Sequence, residues 1–234
     1  MPHHPGEHHA AVWNRAMKNI PLFTSSYGLA TLILREIAWK GRAYVLVRSV
    51  WNDRAAELLD ECRQFCRAVG AEEIYACWDT EELPADHAYD MIDMTCLKAD
   101  LPAPRKPVEL EQVTPDTAEA YLRIYNQCFR DVPSAASYDR NSLQPLYGED
   151  LAWLAKADGQ YAAVTEISKE GLEGIAVLPE FRGLGYDLAA TVMQMVPSLT
   201  VKLKVASTNA RARALYTRLG FTEAGISRRW YQIL

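Results

Sequence analysis

The sequence predicts an α/β protein, and three observations carry that expectation. An apolar run from Leu172 to Leu178 stops at Pro179, then passes through the glycine-spaced turn Arg182-Gly183-Leu184-Gly185 into an amphipathic segment reaching about Val196. Residues 54–69 set Leu58, Leu59, Cys62, Phe65, Cys66 and Val69 at i, i+3, i+4 and i+7 spacing, closed by Gly70. Asp158-Gly159, between Ala152 to Ala157 and Tyr161 to Ile167, is a two-residue hairpin signal.

Each element follows in order. The first nine residues hold His3, His4, His8 and His9 among Pro2, Pro5 and Gly6, a composition that favours a mobile terminus over a metal-binding tail. Ala30 to Ile37 and Ala43 to Ser49 read as strands joined by a Trp39-Lys40-Gly41-Arg42 turn. Asp53 stands as N-cap of the 54–69 helix, and strands follow at Glu73 to Trp78 and Met91 to Leu97. Three prolines between Leu101 and Pro107 mark a linker, dividing the chain into domains at 1–104 and 105–234.

In the second domain, Thr114-Pro115 opens a helix through Phe129, with Pro115 at the first helical position. An irregular stretch runs from Asp131 to Asp150, before the hairpin and the Leu172 strand. The helix after Gly185 stacks Leu188, Val192, Met195 and Val196 on one face and stops at Pro197. Leu199 to Val205 alternates Val201, Leu203 and Val205 against Lys202 and Lys204, a half-exposed strand. Asn209 to Leu219 is the last helix, with Gly220 as its stop, and residues after Phe221 supply a final strand. Both halves read as a hairpin, a strand running into a helix, then a strand. That order predicts an internal pseudo-repeat whose first copy is degenerate and lacks the glycine turn.

Composition narrows the function. The 234 residues are 49% hydrophobic and 24% charged, as in ordinary globular proteins. Five cysteines without C-x-x-C spacing argue for small buried hydrophobes rather than a disulfide framework or a zinc site. The net charge of −5 is uneven: from Arg182 onward eight Lys and Arg oppose only Asp187 and Glu223, giving +6 there and −11 elsewhere. A basic end on an acidic chain suits a small polyanionic ligand and disfavours nucleic acid as a partner. No run approaches the ~18 apolar residues that span a bilayer, and no secretory signal is visible, so the expected location is the cytoplasm.

Val177-Leu-Pro-Glu-Phe-Arg182-Gly-Leu-Gly185 is followed about 25 residues later by Asn209-x-x-Ala212-x-x-Leu215-Tyr216-x-x-Leu219-Gly220-Phe221. Together they resemble the GNAT superfamily of acyl-CoA-dependent N-acetyltransferases: the first looks like its Arg/Gln-x-x-Gly-x-Gly/Ala signature, the second like its C-terminal Asn…Leu-Tyr…Gly-Phe motif. The resemblance covers roughly 108–234 and reaches the first hundred residues only loosely. It implies the GNAT fold, a mixed and mostly antiparallel central sheet flanked by helices, and acetyl-CoA as cofactor. Acetyl transfer to a primary amine of a small molecule or peptide by direct attack in a ternary complex follows from it. A homodimer is compatible with it. A non-catalytic acyl-CoA-binding module, or transfer of another acyl group, is the alternative.

The resemblance also assigns residues. Backbone N–H groups of Arg182, Gly183, Leu184, Gly185, Tyr186 and Asp187 would face the pyrophosphate, as a helix N-terminus and close-approaching glycines allow. Ile175, Ala176 and Val177 would pair with the pantetheine amides, the Val177 N–H acting on the thioester carbonyl. Asn209 would bond the pantetheine arm or serve as an N-cap, and Arg211 or Arg213 would meet the 3′-phosphate. Tyr216 matches the general acid at sulfur; its alternative is a core aromatic. Glu173, on the face of Ile175 and Val177 by alternation, is the candidate base or else a surface glutamate; many relatives carry their glutamate where Gly171 stands. Asp187 departs from the Gly/Ala pattern and is expected to turn outward. The acceptor pocket is expected between Tyr125 and Tyr147, with Asp131, Tyr138 and Asp139 to hold a cationic amine. No cysteine lies near the thioester strand, which disfavours an acetyl-cysteine route.

Overall fold

The computed structural model describes residues 18–234, so the histidine-rich start lies outside the described residues. In chain order the elements are β1 Leu22–Ser25, β2 Gly28–Ile33, α1 Ile37–Lys40, β3 Arg42–Val50, α2 Ala55–Ala68, β4 Glu73–Trp78 and β5 Asp86–Leu97. Then come β6 Glu109–Gln112, α3 Ala118–Phe129, α4 Arg140–Leu143, β7 Ala152–Ala157, β8 Gln160–Ile167 and β9 Gly171–Val177. α5 Leu184–Met195, β10 Thr200–Ala206, α6 Ala210–Arg218 and β11 Thr222–Gln232 complete the chain. The architecture is α/β, with mostly antiparallel strands flanked by helices, as the GNAT fold requires.

Two compact units result. The described part of the first comprises 18–92, 206–208 and 225–234; the second comprises Asp93–Val205 with Asn209–Ala224. These units depart from a linear cut at 104/105. β5 leaves the first unit after Ile92, and the end of β11 returns to it with Tyr231 opposite Ala76 and Gln232 opposite Tyr75.

In the first unit the strand order is β1-β2-β3-β4-β11, with β3 and β4 parallel. α2 lays Leu58, Leu59, Cys62 and Cys66 on Leu32, Val45, Val47, Ile74 and Ala76. Each leucine so buried contributes roughly 2 kcal/mol. The cysteines are part of that apolar packing: burial pushes the Cys62 thiol up to about 12 and the Cys66 thiol to about 11. Asp53 does not cap α2. Asn52 and Asp53 both hold positive φ (54° and 57°), so the chain is still turning there, and the helix starts at Ala55 without a side-chain cap.

In the second unit the order is β5-β10-β9-β8-β7-β6, antiparallel from β6 to β9 and parallel at β9·β10. The β7–β8 hairpin turns at Asp158 and Gly159, whose φ values of 52° and 72° match the twist of paired strands. α3 packs Tyr121, Ile124 and Tyr125 against Leu154, Val164 and Ala176. The helix begins at Ala118, three residues later than Pro115 suggests. The Thr114 N–H donates to Thr117 Oγ1 at 2.9 Å, and that local turn keeps Pro115 outside the helix. Among the described residues, no helix is long and apolar enough to cross a membrane.

Candidate active site

The second unit has a gap in its sheet. β9 and β10 run parallel but pair only at Gly171 with Lys202 and Leu172 with Leu203. From Glu173 to Val177 the β10-facing edge of β9 leaves the ladder, offering backbone N–H and C=O groups to a bound chain. Gly171 stands where the two strands touch. A Cβ there would lie 1.8 Å from the Lys202 carbonyl oxygen, so no glutamate fits at that position.

β9 ends at Val177, and a 3₁₀ turn over Pro179–Phe181 leads to α5. Gly183 holds φ +115°, a conformation side-chain-bearing residues rarely adopt, and caps α5 without a side-chain hydrogen bond. The first N–H groups of α5, around Leu184, Gly185 and Tyr186, therefore have no partner within the helix. A Cβ on Gly185 would lie 3.8 Å from Val177 and 4.0 Å from Leu215, so this first turn abuts both the end of β9 and α6. Arg182 is exposed beside it. Glycine turn, uncapped helix start and adjacent guanidinium fit a pyrophosphate.

Asp187 faces the proline-rich segment. Its Oδ1 accepts from the Arg105 backbone N–H at 2.7 Å, with Arg105 Nε at 3.9 Å. The same guanidinium lies 4.0 Å over the Tyr186 ring, and that of Arg218 lies at 5.2 Å. On α6, Asn209 is the N-cap, its Oδ1 accepting from the Ala212 N–H at 3.1 Å. Arg213 pairs with Glu223 at 2.6 Å, while Arg211 is exposed. Tyr216 is buried, and desolvation pushes its phenol well above the ordinary tyrosine range. It therefore holds its proton at any working pH.

Glu173 is half-buried on β9. Glu166 faces Gly174 while Ile167 faces Leu172, so Glu173 is the extra residue of a β-bulge. The bulge interrupts the alternation that groups Glu173 with Ile175 and Val177. Sequence reasoning missed Glu166, a carboxyl only 5% exposed near the end of β8. Its Oε2 accepts from Tyr138 Oη at 2.9 Å. Burial chiefly, opposed by that hydrogen bond and reinforced by the charge of Glu173, raises its pKa to about 8. The available signal was a lone glutamate in the apolar run Tyr161 to Ile167.

The predicted acceptor residues separate in the structure. Tyr138 is buried, stacked on Tyr125 with ring centroids 4.2 Å apart, and its backbone is gripped at both N–H and C=O by the Asn126 side chain. Asp139 lies outside this cluster, its carboxylate committed to capping α4 through the Ser142 N–H at 2.8 Å. Asp131 is exposed just after α3.

The splayed parallel pair and the glycine turn beside it are the features against which the comparisons with known proteins are read. Residues 118–221 match the family model described as Acetyltransferase (GNAT) family. Among solved structures, a functionally unknown conserved protein from Staphylococcus epidermidis is similar at TM-score 0.57 and 13% identity, covering 92% of this chain and 93% of its own. A GCN5-related N-acetyltransferase from Kribbella flavida is similar at 0.53 and 18%, covering 92% and 89%. One from Sphaerobacter thermophilus stands at 0.54 and 16%, covering 87% and 75%. No curated protein matches the chain. Residues 118–221 are thus similar to GNAT-family acetyltransferase domains, and at these identities the solved structures establish the fold alone.

Proposed function

We propose that the protein transfers an acetyl group from acetyl-CoA to a primary amine of a small molecule or peptide, by direct attack in a ternary complex. The observation that carries this reading is the parting of β9 from β10 immediately after Leu172, beside a glycine turn packed against the end of β9. Acetyl-CoA supplies an acyl group activated as a thioester. Everything else falls to the chain's own residues. The α5 start and Arg182 hold the pyrophosphate, and the edge Ile175-Ala176-Val177 holds the pantetheine arm. The Val177 N–H donates to the carbonyl oxygen, where charge builds up.

Two protons move. Glu173 removes the first from the acceptor ammonium, and Tyr216 delivers a proton to the departing sulfur. Burial keeps that phenol protonated, so the proton is in place when the sulfur leaves. Asn209 and Arg211 take supporting roles toward the arm and the 3′-phosphate. In this reading the domain at 105–234 is the catalytic GNAT domain and 1–104 is its degenerate copy. Support for the copy lies in the matching order β2, β3, α2, β4 and β8, β9, α5, β10, each with a parallel strand pair across its helix.

Thermal stabilisation by CoA and acetyl-CoA tests the binding half. Thiol release across a panel of amines, amino acids and polyamines tests the transfer half. Stabilisation by acetyl-CoA with amine-dependent thiol release is the expected result; absence of stabilisation overturns the assignment. Stabilisation without thiol release for any amine identifies a binding module instead.

A further inference from the structure

The first unit carries a groove that the acetyl-transfer reading leaves unused. Its sheet begins at β1, which pairs with β2 from Leu22 opposite Thr31 to Ser25 opposite Gly28. In an antiparallel ladder the hydrogen-bonded pairs alternate. The Leu32 N–H donates to the Pro21 carbonyl at 2.9 Å, so Phe23 and Ser25 are the next residues bonded to β2. Leu22 and Thr24 therefore turn their N–H and C=O groups outward, and among the described residues no strand pairs with that edge. Edge strands are ordinarily guarded by charge or proline. β6 is guarded: it reads Glu-Leu-Glu-Gln, with Glu109 and Glu111 both paired to Lys156. β1 reads Leu-Phe-Thr-Ser and has neither guard.

Between the open edge and α2 lies a groove of about 620 Å³, lined by Phe23, Thr24 and Ser25 on one side and Glu61, Gln64 and Phe65 on the other. The Phe23 and Phe65 rings, with centroids 5.7 Å apart, form an apolar wall, and Phe65 is 40% exposed. Glu61 is the uncompensated group. The other carboxylates of α2 are matched: Glu57 pairs with Arg54 at 2.8 Å, while Asp60 pairs with Arg63 and accepts from Gln64 Nε2 at 2.6 Å. Glu61 Oε2 is shut off from solvent and accepts no hydrogen bond. A carboxylate oxygen in that state is costly until a donor reaches it.

We propose that this groove binds an extended basic peptide segment as an added strand on β1. Backbone hydrogen bonds to Leu22 and Thr24 hold the segment, the mode known as β-augmentation. On the added strand, residues two apart share the face of Phe23. One of them, a lysine or arginine, reaches Glu61, and the next lays an apolar side chain on Phe23 and Phe65. A free amine would leave the outward N–H and C=O groups of β1 unused. A second copy would bring its own Leu22–Ser25, which holds no cation for Glu61. The groove shares no residue with the acetyl-transfer site, so the two assignments stand or fall separately.

The test uses the full chain and the blocked peptide acetyl-Thr-Val-Thr-Lys-Thr-Val-Thr-amide, by calorimetry and ¹H–¹⁵N NMR. Saturable binding is expected, with the Leu22 and Thr24 amides protected from exchange in the complex. Glu61→Gln should weaken it about tenfold or more, as should glutamate in place of the peptide's lysine. Thr24→Pro removes an outward N–H at an edge position, where proline is tolerated, and should abolish binding. Prolines in place of the peptide's central threonines break the same ladder without altering the protein, and serve if either variant fails to fold. Absence of saturable binding, or equal affinity in Glu61→Gln, overturns the proposal. So does butylammonium binding as tightly as the peptide, which marks a site for small cations. Concentration-dependent dimerisation in ultracentrifugation, abolished by Thr24→Pro, assigns the edge to a second copy and overturns it too.

Discussion

The molecule contains two strand–helix–strand arrangements built alike, and only one opens. In the first, β3 and β4 stay paired over six consecutive positions, from Arg42 with Glu73 to Val47 with Trp78. In the second, β9 and β10 pair at two positions and part. The approaches to the helices differ too. Asn52 and Asp53 make the first turn, and the Arg54 guanidinium lies 4.3 Å over Tyr27 at the start of α2. The second turn is Gly183-Leu184-Gly185, packed on the end of β9. One extra residue on β9, Glu173, sits where the strands separate. Identical element order therefore produces a strand pair that stays closed or one that parts, and the parting coincides with the bulge at Glu173 and the close contact at Gly171.

The largest expected effects strike the open arrangement alone. Tyr216→Phe and Glu173→Gln should each lower amine-dependent kcat/KM by about 10²–10⁴-fold, the ordinary range for removing a general acid or base. Urea midpoints should stay near wild type. Leu58→Ala, in the fully buried core of the closed arrangement, should show the opposite pattern: a loss of about 2–5 kcal/mol in urea unfolding with CoA affinity retained by the folded protein. If both tyrosine and glutamate variants keep full turnover at their pH optima, the acid–base assignment is wrong.

Gly171→Ala comes next. Its Cβ would meet the Lys202 carbonyl at 1.8 Å, and that neighbour is backbone that cannot swing aside. Forcing the strands apart there should cost on the order of 3 kcal/mol in urea unfolding. It should also weaken CoA binding, because the two-pair hinge that sets the gap is displaced. A variant as stable as wild type, with unaltered CoA affinity, would separate the gap from this contact.

A pH dependence follows from Glu166. Its folded pKa, about 8, lies above the ordinary glutamate value of 4.5, so the folded state holds this proton more tightly than the unfolded chain. The stability linked to it is complete below about 4.5 and lost as pH rises toward 8. Glu166→Gln has no such ionisation. Its Tm should therefore gain on wild type progressively between those limits, and equal pH slopes for the two proteins would mean that Glu166 is not held neutral.

Local rules made much of this legible. The Asp158-Gly159 hairpin, the apolar stripe of α2 and the strand Glu73 to Trp78 each need only neighbouring residues, and all three stand in the structure. β1 and β6 were invisible for a physical reason: each has four residues at a sheet edge, and β6 reads Glu-Leu-Glu-Gln. Its Glu111 becomes intelligible only beside Lys156 at 2.7 Å and Tyr161 at 3.0 Å. The return of Tyr231 to Ala76 joins distant parts of the chain, which no periodicity reports. The site divides in the same way. Glycine turn and Tyr216 carry local signatures, whereas Glu166 gains its meaning from Tyr138, 28 residues away, and from a bulge that strict alternation overlooks.

The smallest expected effects concern the departure at Asp187, and a double-mutant cycle isolates them. An anionic side chain in the first turn of α5 is favourable with the helix dipole but opposes a bound pyrophosphate. Arg105 offsets it, through its backbone N–H and its guanidinium. Because the Arg105 side chain is 60% exposed, the pair is solvent-screened and worth about 0.2–1 kcal/mol. Asp187→Gly should accordingly leave CoA binding unchanged or tighten it a few-fold. Arg105→Ala should weaken binding by a similar factor, more at low salt, since it removes the guanidinium and leaves the carboxylate only its backbone N–H partner. In Arg105→Ala with Asp187→Gly, binding should return toward wild type. A marked loss in Asp187→Gly alone would mean that this carboxylate organises the turn rather than merely being tolerated beside it. The second arrangement would then owe its opening to the proline-rich segment as well as to its own strands.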